Sequence, residues 1–236
     1  MQLAAVVVQR LLARPGPAWG ARVLGISGYP FTGKSRLADD IQTAWPSEEV
    51  TLLPTESVIL PRSKRRLRHT DGCSPDGHDM QRLMAQITCL RNGRPVISDH
   101  YSWVLGRASG VIRLQGPGPG GLLIIDGTAA AAPEVLEQCD LVIFLSPVDE
   151  TKWLPLACLR DVNERGWLAN PAQSQNLSKK RTSAALRDAD RRSLCLNVCV
   201  DPASWTFYVP GCDLCEKSRR DLPAQTPVPV AICKVR

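Results

Sequence analysis

The residues with the clearest chemical content are Gly28-Tyr29-Pro30-Phe31-Thr32-Gly33-Lys34-Ser35, which match G-x-x-x-x-G-K-[ST]. Backbone N–H groups of such a loop, together with the N-terminus of a following helix, form a concavity that binds anions. A lysine at this position reaches the outer phosphates of a nucleoside triphosphate, and the hydroxyl beside it can ligate Mg²⁺. All eight residues are therefore expected to bind nucleotide, with ATP and Mg²⁺ as the expected cofactors. The bland reading is a glycine-rich turn without a ligand. Context argues against it: Val23–Ile26 reads as a buried strand just before the loop, and residues 35–41 read as a helix just after it. Tyr29 and Phe31 are bulkier than such a loop needs, and they either constrain the nucleotide or mark relaxed function.

Elements must hold this loop in place. The runs Arg22–Ser27, Val50–Pro54, Leu122–Asp126, Leu141–Ser146 and Leu194–Val200 are continuously apolar rather than alternating, which predicts buried parallel strands. Helix-length stretches separate them: Lys34–Ala44, Asp79–Arg91, Ala132–Gln138, Thr151–Arg165 and Ser178–Asp190. Strands alternating with helices predict an α/β fold with a five-stranded parallel sheet flanked by helices. Residues 1–20 read as an amphipathic helix closed by Pro15-Gly16-Pro17, residues 21–202 as the main domain, and 203–236 as an irregular Pro-rich extension.

Composition narrows the function classes. No segment approaches the roughly 18 apolar residues a membrane span requires, and the run Leu3–Val8 is too short for a secretory signal core, so a cytoplasmic protein is expected. The formal net charge of +6 is mild. Basic residues cluster at Arg62–Arg68 and Lys179–Arg192, without the interleaved aromatics on which single-stranded nucleic acid stacks. A small-molecule partner is expected and nucleic acid is not; monomer and homo-oligomer are both compatible. Nine cysteines, several in apolar contexts, suit buried hydrophobes better than a disulfide framework. Cys212-Asp-Leu-Cys215 has zinc-site spacing. Its simplest partners, Cys195 and Cys199, would lie about 13 Å apart on a strand, too far to share one ion without a bend.

Further segments recur in one order around the loop. Glu56-Ser-Val-Ile-Leu-Pro61 follows the second strand, and Ser74-Pro-Asp76-Gly-His78-Asp79 comes next. Gly93-Arg-Pro-Val96 with Tyr101-Ser-Trp103, then Leu122-Leu-Ile-Ile-Asp126-Gly127, then Arg160-Asp161-Val-Asn-Glu164-Arg165-Gly166 complete the series. Over about residues 21–202 this arrangement resembles the uridine kinases and their relatives phosphoribulokinase and pantothenate kinase, including the uridine-kinase lid motif Arg-Asp-x-x-Glu-Arg-Gly. The resemblance implies a P-loop NTPase fold with a helical lid at about 155–180 and transfer of a phosphoryl group from ATP to a hydroxyl. It implies catalytic roles for Glu56, Lys34 and Arg160, nucleotide contact by Arg165, and substrate contact by Glu56, Asp76, Tyr101, Arg160 and Gln175. It places Mg²⁺ on Ser35 and Asp126, the latter through water.

Each assignment has a plain alternative: a loop carboxylate for Glu56, a turn cap for Asp126, a core ring for Tyr101, and an exposed Arg160–Glu164 pair on a helix. Several family positions differ: Cys73, Ser102, Gly106, Ala157 and Trp167 stand where polar or basic substrate-reading residues occur. Phosphate-handling residues are kept while base- and ribose-reading ones have changed, so the expected acceptor is a nucleoside-like, sugar or other small alcohol rather than uridine itself. The alternative is a nucleotide-binding pseudokinase that keeps the cradle without transfer.

Overall fold

The computed structural model describes residues 2–17, 20–47, 49–72, 74–165, 195–201 and 206–208. In chain order the elements begin with α1 (Gln2–Ala13), β1 (Arg22–Gly28), α2 (Lys34–Ala44), β2 (Val50–Pro54) and α3 (Arg62–Leu67). They continue with α4 (Met80–Arg91), β3 (Val96–Ser102), β4 (Arg107–Leu114), β5 (Leu122–Asp126) and α5 (Pro133–Leu136). Strand β6 (Leu141–Pro147), α6 (Glu150–Arg165), β7 (Cys195–Asp201) and β8 (Thr206–Tyr208) complete the described chain.

The apolar runs form the sheet β2-β5-β1-β6-β7-β8. Its first five strands are parallel, as expected, and β8 adds an antiparallel sixth within a stretch read as irregular. Strands buried on both faces need two covering layers. On one face α1 and α2 supply Leu3, Val7, Leu11, Leu37 and Ile41 against Leu24, Ile26, Ile124 and Ile143. On the other, α4 supplies Leu83, Ile87 and Leu90 against Val23, Leu123, Ile125 and Val142. The N-terminal helix thus belongs to the main core. Cys139 lies in the second layer, where burial pushes its thiol up to about 12, so it acts there as a small hydrophobe. No helix among the described residues is long and apolar enough to cross a membrane.

The hairpin β3–β4 has no counterpart in the sequence reading. Its strands carry Ser98, Asp99, His100, Ser109 and Gly110 in place of an apolar run, and β4 is exposed along most of its length. Tertiary tethers hold it: Arg82 of α4 donates to both oxygens of Asp99 at 2.6 and 3.0 Å, and Gln86 donates to the carbonyl of Ile97. From α3, the Arg62 guanidinium donates to the carbonyl of Trp103, and the Arg62 N–H donates to that of Gly106. Part of the first basic cluster therefore fastens a hairpin. Helix α5 is one turn, shorter than the 132–138 expected; the second basic cluster and the helix expected over 178–190 lie outside the described residues.

Phe144 of β6 is fully buried beneath Tyr29, with ring centroids 6.4 Å apart. Phe144→Ala should lower unfolding stability by about 3–5 kcal/mol, the usual range for removing a buried aromatic. Urea denaturation should show the midpoint falling with the slope unchanged.

Candidate active site

Strand β1 ends at Gly28, where φ is 138 and any Cβ would overlap the Leu145 carbonyl of β6. Only glycine fits that approach. The Tyr29 N–H then donates to the Leu145 carbonyl at 2.9 Å, so the loop leaves the sheet in a fixed direction. Gly33, in the left-handed region at φ 79, caps the start of α2. Within the loop, the buried Thr32 hydroxyl donates to the Tyr29 carbonyl at 2.7 Å. Lys34 folds over the same turn and donates to the carbonyls of Tyr29 at 2.7 Å and Gly28 at 3.3 Å. Phe31 has φ 56, a conformation that costs a non-glycine residue about 1–3 kcal/mol.

Strand register brings the carboxylates to this loop. Ile26 of β1 and Pro54 of β2 both pair with Asp126 of β5. The 3₁₀ turn Thr55–Val58 then carries Glu56 to the same edge. Asp126 is buried, and its Oδ2 accepts the Ser35 hydroxyl at 2.7 Å. Burial raises the Asp126 carboxyl above its ordinary range; Lys34 and the Ser35 bond pull it down, whereas Glu56 and Asp39 push it further up. Its second oxygen, Oδ1, is buried without a hydrogen-bond partner. An orphaned carboxylate oxygen beside a serine hydroxyl at a phosphate cradle is an oxygen donor set that suits Mg²⁺. The residues present fit that ion.

A cavity of about 370 Å³ opens over the loop. Pro30, Phe31, Thr32, Gly33, Lys34 and Ser35 form its floor, while Glu56 and Arg160 face it from opposite elements. A model of the Phosphoribulokinase / Uridine kinase family matches residues 24–184. The chain belongs to that family. Uridine kinase of Latilactobacillus sakei subsp. sakei (strain 23K) is 24% identical to this kinase over 148 residues, 61% of this chain and 68% of its own. A structure described as a possible uridine kinase from Bacillus stearothermophilus superposes with a TM-score of 0.57 at 17% identity, covering 83% of this chain and 97% of its own. D-glycerate 3-kinase from Cryptococcus neoformans var. grubii gives 0.57 at 13% identity, covering 89% and 97%. At such identities the structures speak for the fold, a P-loop kinase fold. Family membership makes the chain an ATP-dependent P-loop kinase of a small molecule.

The expected site residues of this kinase divide into three groups. Glu56, Lys34, Ser35 and Arg160 meet at the cavity, with Asp126 directly behind Ser35. Asp76 and Tyr101 do not line it. Asp76 is exposed in the 3₁₀ turn Pro75–Gly77, and Tyr101 is buried behind Trp103, its hydroxyl accepting from the buried Arg65 at 2.7 Å. Trp103, at the hairpin turn, is the ring that reaches the cavity. Gln175 and the side chain of Arg165 lie outside the described residues.

Sequence reasoning missed Arg36, Ile59, Gly72 and Thr128 in the cavity wall. Arg36 directly follows Ser35 on the first turn of α2, and its position beside the G-K-S triplet was the available signal. Ile59 lies inside the Glu56–Pro61 segment, whose apolar members carried no assignment, and the other two arrive by loop packing, for which no motif exists: Thr128 donates to the Gly72 carbonyl at 3.3 Å. Among the described residues no group of three or more His, Cys, Asp or Glu forms a separate metal site.

Asp126 gives a pH signature. A carboxyl in an unfolded chain titrates near 3.8, and the folded value of Asp126 is higher. The stabilisation from its protonated form is complete below the unfolded value and is lost as pH rises through the folded one. Asp126→Asn cannot ionise, so it should exceed the parent in stability at about pH 8, with the gap closing towards about pH 4. Thermal unfolding across that range measures the gap, and a constant difference would remove the burial argument.

Proposed function

We propose that this kinase transfers the γ-phosphoryl group of ATP to a hydroxyl of a nucleoside-like, sugar or other small alcohol, with Glu56 accepting the hydroxyl proton. One observation carries the reading: Glu56, Lys34, Ser35 and Arg160 line a single cavity although they come from three separate segments, the 3₁₀ turn after β2, the start of α2, and α6. A carboxylate facing a phosphate cradle can take the proton of a hydroxyl set in line with the outer phosphate. Glu56 is exposed towards the cavity, at the end of the strand next to Asp126.

The opposite charge is supplied by the loop and α6. Lys34 stands on the cradle and Arg160 above it, so positive groups flank the region where the phosphoryl group moves. Phosphoryl transfer depends chiefly on such positioning and charge. Bound at Ser35 and Asp126, Mg²⁺ would neutralise charge on the phosphate oxygens. Backbone amides of residues 31–35 are the ones offered to the nucleotide, since Pro30 has none and that of Tyr29 is bonded to Leu145, and Arg165 is assigned to it by its place in the lid motif.

For the acceptor, Ile59 and Trp103 give one wall an apolar character, and Glu56 is the carboxylate beside them. Ser102 and Gly106 stand near the hairpin turn where family members read a base, which favours an acceptor other than uridine. Proteins of this fold carry names as different as uridine kinase and D-glycerate 3-kinase, so the fold leaves the acceptor to the pocket. A cytoplasmic setting accords with a reducing environment for free thiols such as Cys89 and Cys139.

A coupled ADP-release screen over nucleosides, sugars and pantothenate-like alcohols should find turnover with a compound other than uridine or cytidine. Turnover confined to those two would overturn the acceptor assignment, and ATP binding without any turnover would favour the pseudokinase. With the acceptor in hand, Glu56→Gln should lower kcat by about 10²- to 10⁴-fold, the range of a general base, while ATP affinity is retained. Unchanged turnover would remove Glu56 from the chemistry.

A further inference from the structure

Three consecutive residues of the phosphate loop reach one helix. The Tyr29 ring meets Trp153 of α6 edge-on with centroids 5.4 Å apart, and Trp153 Nε1–H donates to the Pro30 carbonyl at 2.7 Å. The Phe31 ring lies 5.5 Å from Cζ of Arg160. Their helix partners follow a single stripe: Glu150, which accepts from the Tyr29 hydroxyl at 3.5 Å, and Trp153, Ala157 and Arg160 are spaced three, four and three residues apart. Ala157 and Trp153 are fully buried in a small cluster with Tyr29 and Phe144. The stripe that packs on the loop therefore ends at Arg160, where the helix meets the cavity.

Phe31 is the unusual member. Its backbone sits at φ 56, which glycine adopts freely and bulky residues rarely do. A phenyl ring held there makes contacts that a glycine could not: it packs against the Tyr29–Trp153–Ala157 cluster, and the guanidinium of Arg160 lies over its face. The edge of that guanidinium is fixed too: Nη2 donates to the fully buried carboxylate of Asp161 at 2.9 Å.

We propose that Phe31 is a positioning residue whose ring holds the Arg160 guanidinium over the phosphate cradle. The loop that grips the nucleotide also sets the cation that meets the moving phosphoryl group. This inference rests on the role given to Arg160 above and explains why the loop carries aromatics at all. A guanidinium already stacked on a ring needs no reorganisation when negative charge develops beside it, and its effect falls on the transition state more than on nucleotide binding.

The test needs no acceptor. Calorimetry in the presence of Mg²⁺ compares the affinity for ADP alone with that for ADP plus aluminium fluoride, a mimic of the transferring group. The parent should bind the mimic more tightly than ADP. Phe31→Leu should lose about 2- to 30-fold of that tightening, the span of a cation–π contact, the tightening being the ratio of the two affinities of one variant so that any change in ADP binding itself cancels. Phe31→Tyr should keep it. In an Arg160→Met background, Phe31→Leu should cause no further loss. Phe31→Gly, which relieves the backbone and so guards against a folding defect of the leucine variant, should lose the tightening to the same extent. Full tightening in the Leu and Gly variants, or an equal loss with Arg160 already replaced, overturns the role of Phe31. Full tightening in Arg160→Met alone would instead overturn the role of Arg160, and the inference with it. No tightening in the parent would overturn phosphoryl transfer itself.

Discussion

Strand β1 is hydrogen-bonded along both edges, to β5 on one side and β6 on the other, and it ends at a glycine pressed against the Leu145 carbonyl. Everything at the carboxyl edge of the sheet depends on that ladder. It aims the phosphate loop, because Tyr29 leaves the strand bonded to Leu145. It sets Asp126 beside Ile26 and, through β2, brings Glu56 to the same rim. A one-residue slip of a strand would turn every side chain to the opposite face, so burial on both sides fixes the chemistry along with the fold.

The site balances few charges in a confined space. Asp126 is buried with one oxygen bonded to Ser35 and the other orphaned, an arrangement a folded chain tolerates where the group has work to do. Lys34 lowers the proton affinity of that carboxyl and Glu56 raises it, so the groups on either side of the cavity both act on Asp126. Arg160 completes the set from α6, paired with Asp161 and stacked near Phe31.

The aromatics of the loop join two parts of the molecule far apart in sequence. Tyr29 and Pro30 meet Trp153, 123 residues beyond the proline, through a ring contact and a hydrogen bond. Loop and helix share a small hydrophobic cluster, and such clusters resist continuous deformation because interiors are close-packed. The loop is thereby more than a string of amides: its side chains register the helix that carries Arg160.

Local rules made much of this legible. Apolar runs announced the five parallel strands: β5, β1 and β6, covered on both faces, have no need to alternate, whereas the outer β2 and β7 bury alternate residues. The spacing of Gly28, Gly33, Lys34 and Ser35 announced the cradle, because backbone geometry there tolerates few other residues. The hairpin stayed hidden because its stability comes from outside its own sequence, from Arg82, Gln86 and Arg62. For the same reason the Tyr101-Ser-Trp103 motif did not reveal which ring would reach the cavity: the buried Arg65 holds Tyr101, and Trp103 stands beyond the end of β3. By itself the sequence determined the sheet, the phosphate loop and the order of the motifs, all of which follow from local backbone and hydrophobic constraints. Only tertiary structure decided the company of Phe31, the burial of Asp126 and the exclusion of Tyr101, since each depends on surfaces meeting across more than thirty residues of chain.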